Sequence, residues 1–413
     1  EISCSLVGSE MCIRDRFRVV SALDAAREKG RSVTYAKGFS MENDAMTEQE
    51  LEKALRTAAE ADVAVIFAGL PEIFESEGYD RTSMKLPKCQ DRLIEEVLKV
   101  QPNVVVVLHN GSPVELPWAD RVSAILEMYL GGQGVGEACD WLLFGEANPS
   151  GRLAETFPYR LEDNPSFLHF PGNEKRVLYG EDIFVGYRYY DTKKVPVRYA
   201  FGHGLSYTEF TYGDLTLSSA QMTDEDILTV SLKVKNSGKT EGKEVVQLYV
   251  ADLCGTPERP VKELKGFAKV HLLPGEEKTV SMEISARNLS YYEERLGDWY
   301  APSGTYRILI GHASDDIRLH ADIVFKTKKK LPLRVDFTTT FGELLDHTKT
   351  APVITELLAP LAAAAASAEG MSDEYKKLGE QVIREMPLKF LLGQMPGEQV
   401  EQLIGQLNCL LAQ

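Results

Sequence analysis

Continuous apolar runs alternate with helix-like segments through the first half of the chain. The runs Val63–Leu70 and Val104–Leu108 contain no charged residue, which is typical of strands buried on both faces of a sheet. A third strand is predicted from Ala124 to Leu130. Thr47, followed by Glu50, predicts a capping box at the start of a helix. This alternation predicts an α/β sandwich, in which a mostly parallel sheet lies between helices.

The pattern changes after residue 205, where we expect the α/β domain of residues 17–205 to end. Apolar and polar residues then alternate, for example from Leu228 to Lys235 and from Tyr306 to Ile310. Strict alternation predicts strands with one buried face and one solvated face. Residues 206–327 are therefore expected to form an antiparallel β-sandwich.

Helical periodicity returns towards the carboxyl terminus. Residues 351–413 are predicted to form a helical tail, joined to the β-sandwich by a polar linker over residues 328–350. An apolar stripe along the last predicted helix contains Val400, Leu403, Ile404, Leu407, Leu410 and Leu411. We expect this stripe to dock the tail onto the body of the protein, and self-association into a homo-oligomer is the alternative.

Residues 1–16 show neither helical nor strand periodicity and lack the apolar core of a signal peptide. We interpret them as a disordered, non-native segment of the kind that adapter-derived sequence adds to environmental gene assemblies. The chain begins with Glu1 rather than methionine, so we expect the native amino terminus to be missing. Because no secretory signal is visible, a cytoplasmic location is expected.

Composition limits the classes of partner. The 413 residues carry a formal net charge of −16, which argues against a nucleic-acid partner and against a basic membrane-binding surface. No apolar segment is long enough to span a membrane. The six cysteines form no CxxC pair and the seven histidines show no ligand spacing, so neither a disulfide framework nor a metal site is predicted.

The most informative chemistry lies in an acidic loop that follows the first apolar run. The loop reads Glu75-Ser-Glu-Gly-Tyr-Asp-Arg81 and comes at the carboxyl end of a predicted parallel strand, where α/β sheets place their sites. Glu77 is the catalytic candidate, because Gly78 lets the loop approach a substrate closely. Tyr79 and Arg81 are candidates for orienting Glu77 or tuning its pKa, and they are also candidate pocket residues for substrate binding. A solvated turn without function is the alternative for this loop.

Two further segments follow predicted strands at the same edge. His109 and Asn110 come after the second apolar run and are candidate pocket residues for substrate binding. The turn Gly131–Gly136 opens a helix, as a dinucleotide-binding loop does, but it lacks the full GxGxxG spacing and a ribose-binding acid downstream. A tight turn against a ligand or the sheet is the favoured interpretation, and a nucleotide-binding α/β domain stays an alternative.

Many short motifs occur together in one order. In the α/β domain they are Glu75–Arg81, Pro102–Leu108, Asn110–Val114, Tyr129–Gln133, Asn148–Leu153, Phe184–Asp191 and Phe201–Thr208. This part resembles family 3 glycoside hydrolases, specifically bacterial β-glucosidases. The β-rich part contains Glu244–Val250 and Val261–Phe267 and resembles the fibronectin type III-like (Ig-like) domain that ends these enzymes. The tail resembles an extension found in some members.

The resemblance implies a retaining hydrolase of β-linked glucosides or oligosaccharides that uses neither a metal nor an organic cofactor. Glu77 matches the family's acid/base glutamate, which protonates the leaving oxygen and then activates water. The family's nucleophile is an aspartate on an amino-terminal TIM barrel, and no residue here matches its motif. We therefore expect a carboxyl-terminal fragment, inactive alone, whose partner is the missing barrel of the same parent chain. Comparison with the family also implies that the α/β domain of residues 17–205 is truncated at its start. A non-catalytic carbohydrate-binding α/β module is the alternative.

Overall fold

Two compact units divide the chain. The computed structural model describes residues 20–173, 175–256, 258–366 and 372–412, so the prediction for residues 1–16 lies outside the described residues. Of the described residues, those up to Leu289 and Ala301–Thr327 form the first unit, and Ser290–Tyr300 and those from Lys328 onwards form the second. Within the described ranges, no helix combines the length and the apolarity that a membrane span requires.

Helices and strands alternate at first, strands then dominate, and helices return at the end. The helices are α1 (Ala22–Glu28), α2 (Glu48–Ala59), α3 (Lys88–Val97), α4 (Val135–Leu143), α5 (Tyr187–Lys193), α6 (Ala286–Leu289), α7 (Phe341–Asp346), α8 (Ala351–Ala366), α9 (Asp373–Glu385) and α10 (Gly397–Ala412). The strands are β1 (Ala64–Gly69), β2 (Val104–His109), β3 (Ala124–Glu127), β4 (Phe157–Pro158), β5 (Val197–Tyr199), β6 (Phe210–Leu217), β7 (Gln221–Thr223), β8 (Ile227–Asn236), β9 (Gly242–Asp252), β10 (Glu263–Leu272), β11 (Glu277–Ser285), β12 (Tyr291–Glu293), β13 (Asp298–Tyr300), β14 (Gly304–Gly311) and β15 (Ile317–Lys326). Short 3-10 turns cover Leu161–Asp163 and Leu388–Gly393.

The strands β1, β2 and β3 form a parallel sheet in that spatial order, which confirms the predicted α/β fold. In the register of the first pair, Gly69 lies opposite His109. β3 ends at Glu127 rather than at Leu130. The cause is local, because Tyr129 adopts a left-handed φ of 48° and a strand cannot continue through that conformation.

Helices α2 and α3 each bury an apolar face in the core that contains β1 and β2. The predicted capping box is present at α2, where the Thr47 side chain accepts from the Glu50 amide and the Glu50 carboxylate accepts from the Thr47 amide. Trp118 is fully buried in the same core, and its Nε1 donates to Asp91 of α3 at 2.9 Å. The sheet that carries the candidate loop therefore rests on a continuous apolar core.

The predicted β-sandwich follows in the same unit. One sheet has the order β10-β9-β14-β15-β7, and the other has the order β11-β8-β6. The pair β15–β7 is parallel, whereas the other pairs of these two sheets are antiparallel. Alternation along β8 buries Leu228, Val230, Leu232 and Val234. Every second side chain of β8 is thus buried, as the alternation of apolar and polar residues in the sequence predicted.

A buried ion cluster joins the α/β domain to the β-sandwich. Arg152 Nη2 donates to Glu244 Oε2 at 2.7 Å, and the exposed fractions of the two side chains are 6% and 0%. The Tyr212 hydroxyl donates to Glu244 at 2.6 Å, and His312 Nδ1 lies 2.6 Å from the same carboxylate. Burial alone raises the pKa of Glu244, but the hydrogen bond with His312 and the charge of Arg152 hold that pKa below its usual value. We call Arg152, Tyr212, Glu244 and His312 the domain-joining cluster.

The second unit contains the hairpin β12–β13, the helices α7–α10 and its own apolar core. That core includes Val335, Phe341, Leu344, Ile354, Leu388, Leu391, Val400 and Leu407. Residues 328–350, predicted as a linker, therefore contain a helix and contribute buried side chains. The predicted apolar stripe of the last helix packs into this core through Val400 and Leu407.

Candidate functional site

The carboxyl edge of the parallel sheet is fixed by a close approach of β1 to β2. Gly69 has a φ of +156°, and a Cβ atom at this position would lie 2.0 Å from the carbonyl oxygen of His109. The Gln90 side chain, buried on α3, accepts from the Gly69 amide and donates to the Gly69 carbonyl, both at 2.8 Å. Only glycine fits at this position, and both of its backbone polar groups are hydrogen-bonded. The backbone conformation at the start of the following loop is therefore fixed.

The loop after β1 is closed by two side chains at its ends. Glu75 Oε2 accepts from the Gly111 amide at 2.6 Å, and Glu75 Oε1 accepts from the Ser112 hydroxyl at 2.7 Å. Arg81 Nη1 donates to Ser112 Oγ at 2.5 Å and to Glu75 Oε1 at 3.3 Å. We call Glu75, Arg81, Gly111 and Ser112 the loop clamp. The loop clamp joins the motif Glu75–Arg81, which follows β1, to the motif Asn110–Val114, which follows β2. Their contact agrees with the prediction that both motifs lie at the same edge of the sheet.

Glu77 lies between the two ends of the clamp. Its side chain is exposed, and among the described residues it has no hydrogen-bond or ion-pair partner. The following Gly78 has a φ of +97°, a conformation that favours glycine. Tyr79 is exposed too, but its hydroxyl donates to the Glu72 carbonyl at 2.7 Å and so ties the middle of the loop to its beginning. Glu77 is therefore a carboxyl group that faces outwards from an anchored loop.

Asn110 and His109 occupy more interior positions than Glu77. Asn110 is fully buried, and its Nδ2 donates to the Ser112 carbonyl at 2.9 Å and to Glu127 at 3.3 Å. His109 is buried and stacks on Phe67, with ring centroids 6.2 Å apart. Burial lowers the pKa of His109 to about 4, so its imidazole is neutral at pH 7. Asn110 thus stabilises the clamp through its hydrogen bond to Ser112, and His109 packs against Phe67 of the sheet. Substrate binding by either residue stays a prediction.

Two carboxyl groups near the clamp were not singled out from the sequence. Burial raises the pKa of Glu127, at the end of β3, to about 8, and its Oε1 accepts from the Tyr129 amide at 2.8 Å. Burial and the charge of Glu75 also raise the pKa of Glu155. The one sequence signal for Glu127 is its place as an acidic residue inside an apolar run. At neutral pH Glu127 is mostly uncharged, which limits repulsion among the carboxyl groups of this edge.

The Gly131–Gly136 turn has a packing role. A Cβ atom on Gly136 would lie 2.3 Å from the Val20 carbonyl oxygen, so glycine lets the start of α4 approach the backbone before α1. This contact favours the tight-turn interpretation over a dinucleotide-binding loop. In the part of the chain that the structure describes, no three His, Cys, Asp or Glu side chains are grouped as metal ligands.

Comparisons with known protein families match both halves of the first unit. Residues 8–207 match the glycosyl hydrolase family 3 C-terminal domain, and residues 244–314 match a fibronectin type III-like domain. The first match begins inside the segment predicted to be non-native.

Curated relatives resemble almost the whole chain. Thermostable beta-glucosidase B of Acetivibrio thermocellus is 46% identical over 381 residues, which cover 91% of this chain and 50% of that protein. Exo-alpha-(1->6)-L-arabinopyranosidase of Bifidobacterium breve is 37% identical over 397 residues, which cover 96% of this chain and 50% of that protein. The chain therefore spans about half the length of these two relatives.

Solved structures show the same relationship. The crystal structure of a GH3 beta-glucosidase from Bifidobacterium adolescentis has a TM-score of 0.76 and 38% identity, and the match covers 82% of this chain and 50% of that chain. Beta-glucosidase 3B from Thermotoga neapolitana, solved in complex with alpha-D-glucose, has a TM-score of 0.67 and 32% identity over 77% of this chain and 49% of that chain. The similarity thus holds in both sequence and fold.

Proposed function

The chain belongs to glycoside hydrolase family 3, and from this membership we propose that it supplies the general acid/base of a retaining β-glucosidase. The observation that carries the proposal is the position of Glu77, an exposed carboxyl group on an anchored loop at the carboxyl edge of the parallel sheet. The 46% identity to a protein named as a β-glucosidase, over 91% of this chain, supports the choice of reaction.

The proposed reaction has two steps. In the first step, a nucleophilic carboxylate attacks the anomeric carbon while the bond to the glycosidic oxygen breaks, and Glu77 gives its proton to that leaving oxygen. In the second step, the Glu77 carboxylate takes a proton from water, whose oxygen attacks the anomeric carbon and displaces the nucleophile. Two displacements at one carbon retain its configuration, and Glu77 returns to its protonated form.

The nucleophile is proposed to come from another part of the parent protein. A retaining mechanism needs two carboxyl groups about 5–5.5 Å apart, one as nucleophile and one as acid/base. This chain spans about half the length of the curated relatives that it matches, and the region that it does not span is the proposed source. Glu75 is not proposed for this role, because both of its carboxylate oxygens are engaged by hydrogen bonds of the loop clamp.

The experiment that tests the proposal replaces Glu77 by alanine in the full-length parent. For an aryl β-glucoside whose leaving group needs protonation, we expect kcat/KM to fall by about 10²–10⁴-fold. Azide needs no general base, so it should attack the glycosyl-enzyme and release a β-glucosyl azide, which chromatography detects. An aryl α-L-arabinopyranoside belongs in the same assay, because one relative is named as an exo-alpha-(1->6)-L-arabinopyranosidase.

Glu72→Ala is the matched control, because Glu72 is exposed at the start of the same turn and contributes only its backbone carbonyl to the loop. This variant should retain the activity of the parent. Near-normal turnover by Glu77→Ala would contradict the acid/base assignment. A loss of activity that azide does not reverse, even for substrates with a good leaving group, would contradict it too.

A further inference from the structure

The two ends of the Glu77 loop are tied to each other and to the end of the neighbouring strand. We propose that Glu75 is the positioning residue of this loop, which sets the direction of the Glu77 carboxyl group without touching the substrate. The inference rests on the proposed function, since Glu75 has this role only if Glu77 is the acid/base.

Glu75 is the centre of the loop clamp. Both of its carboxylate oxygens accept hydrogen bonds from the 111–112 turn, at 2.6 and 2.7 Å, and the Arg81 guanidinium adds a third donor at 3.3 Å. Hydrogen bonds to an ionised acceptor are shorter and stronger than neutral ones. Only 17% of each charged side chain is exposed, so solvent competes weakly for these bonds. The clamp therefore joins the loop to β2 at one defined place.

The clamp leaves little freedom to the segment between Glu75 and Arg81. Tyr79, near the middle of the loop, is held by its hydroxyl on the Glu72 carbonyl. Gly78 already occupies a backbone region that other residues rarely adopt. Glu77 precedes these two residues and follows the anchored Glu75 closely. Rotation or withdrawal of Glu75 would consequently move the Glu77 backbone, although the Glu77 side chain has no partner of its own among the described residues.

The charges around Glu75 explain why its carboxylate is paired with Arg81. Burial is the main cause of the raised pKa values of Glu155 and Glu127, and the charge of Glu75 raises both further. The positive charge of Arg81 offsets the repulsion between Glu75 and Glu155, because Arg81 forms an ion pair with Glu75 and is attracted to Glu155. Without Arg81 and the donors of the 111–112 turn, the Glu75 carboxylate would lose the hydrogen bonds that hold it in this position. The direction of the loop thus depends on the charge and on the hydrogen bonds of one residue.

The test compares Glu75→Gln with Glu72→Gln in the full-length parent. Glutamine keeps the volume of Glu75, but its amide nitrogen must face one of the donors that the carboxylate accepts. Misplacement of an acid lowers the rate most when the leaving group needs a proton. We expect Glu75→Gln to lower kcat/KM by about 10–100-fold for alkyl β-glucosides and by less than about threefold for 2,4-dinitrophenyl β-glucoside, with a small change in KM.

Three outcomes separate this inference from the proposed function. If azide rescues Glu77→Ala and Glu75→Gln shows the leaving-group dependence, both hold. If azide rescues Glu77→Ala but Glu75→Gln behaves like Glu72→Gln, or loses activity equally with all leaving groups, the positioning role is wrong and the proposed function stands. If Glu77→Ala keeps normal activity, or loses activity that azide does not restore with a good leaving group, the proposed function is wrong and the positioning role is wrong with it.

A second variant covers the case in which Glu75→Gln does not fold. Ser112→Ala removes the donor to Glu75 Oε1 and the acceptor for Arg81 Nη1 but leaves the Glu75 carboxylate and its bond to the Gly111 amide, so it should show the same leaving-group dependence with a smaller loss. Amide hydrogen exchange in the same proteins reads the clamp directly. The parent should protect the Gly111 amide, and faster exchange at Gly111 with Val106 of β2 unchanged is expected in both variants. Unchanged protection at Gly111 would overturn the role that we assign to the clamp.

Discussion

Individual carboxyl groups at the sheet edge differ in protonation because they differ in burial. Burial raises the pKa of Glu127 to about 8, so the folded protein holds a proton there that the unfolded chain loses above about pH 4.5. The stability that this proton contributes is complete below pH 4.5 and is lost as the pH rises through 8. His109, whose pKa burial lowers to about 4, changes stability only below about pH 6.5, so it does not contribute in the window from pH 6.5 to 8. We expect the unfolding free energy to fall by about 1–2 kcal/mol across this window and Glu127→Gln to remove most of that fall, as measured by urea unfolding. The exposed Glu60→Gln is the control, and an equal slope in Glu127→Gln would contradict the assignment.

Local signals explain which residues the sequence predicts well. Thr47 and Glu50 lie on one helical turn, so their capping box is visible without knowledge of the fold. The contact between Glu75 and Ser112 joins residues that are 37 apart in sequence, and it depends on which strands are neighbours and on their register. No periodic pattern encodes such a pair. Glu77 itself was predicted as catalytic mainly because the whole series of motifs resembles one family, since an acidic loop alone is usually only solvated.

Among the secondary-structure elements, β1 and β2 were predicted to within one residue at each end because their apolar runs are continuous. The sequence could not show that β1 ends where its backbone nearly touches His109. Gly69→Ala would place a Cβ atom 2.0 Å from that carbonyl oxygen, at a φ of +156°. We expect this substitution to destabilise the first unit by about 4 kcal/mol, as measured by chemical unfolding. Gly151→Ala is the control, because a Cβ atom at that position would have no other atom within 4 Å and no positive φ is required there. A cost below about 1 kcal/mol for Gly69→Ala would contradict the close approach.

At the scale of the whole molecule, the α/β domain and the β-sandwich are coupled through the domain-joining cluster. Glu244 is fully buried, so removal of Arg152 leaves a carboxylate that water cannot reach and that has lost its guanidinium partner. Breaking a buried ion pair by removal of one partner costs about 3–5 kcal/mol, whereas exposed pairs contribute less than about 1 kcal/mol. We therefore expect Arg152→Met to lower the unfolding free energy by about 3 kcal/mol and to separate the unfolding of the two domains, which calorimetry would record as two transitions. Arg307→Met breaks the exposed pair with Asp322 on the outer part of the sandwich and should leave one transition and nearly the original stability. If both variants behaved alike, the cluster would not couple the domains, and the orientation of the Glu77 loop relative to the β-sandwich would have to be maintained by apolar contacts instead.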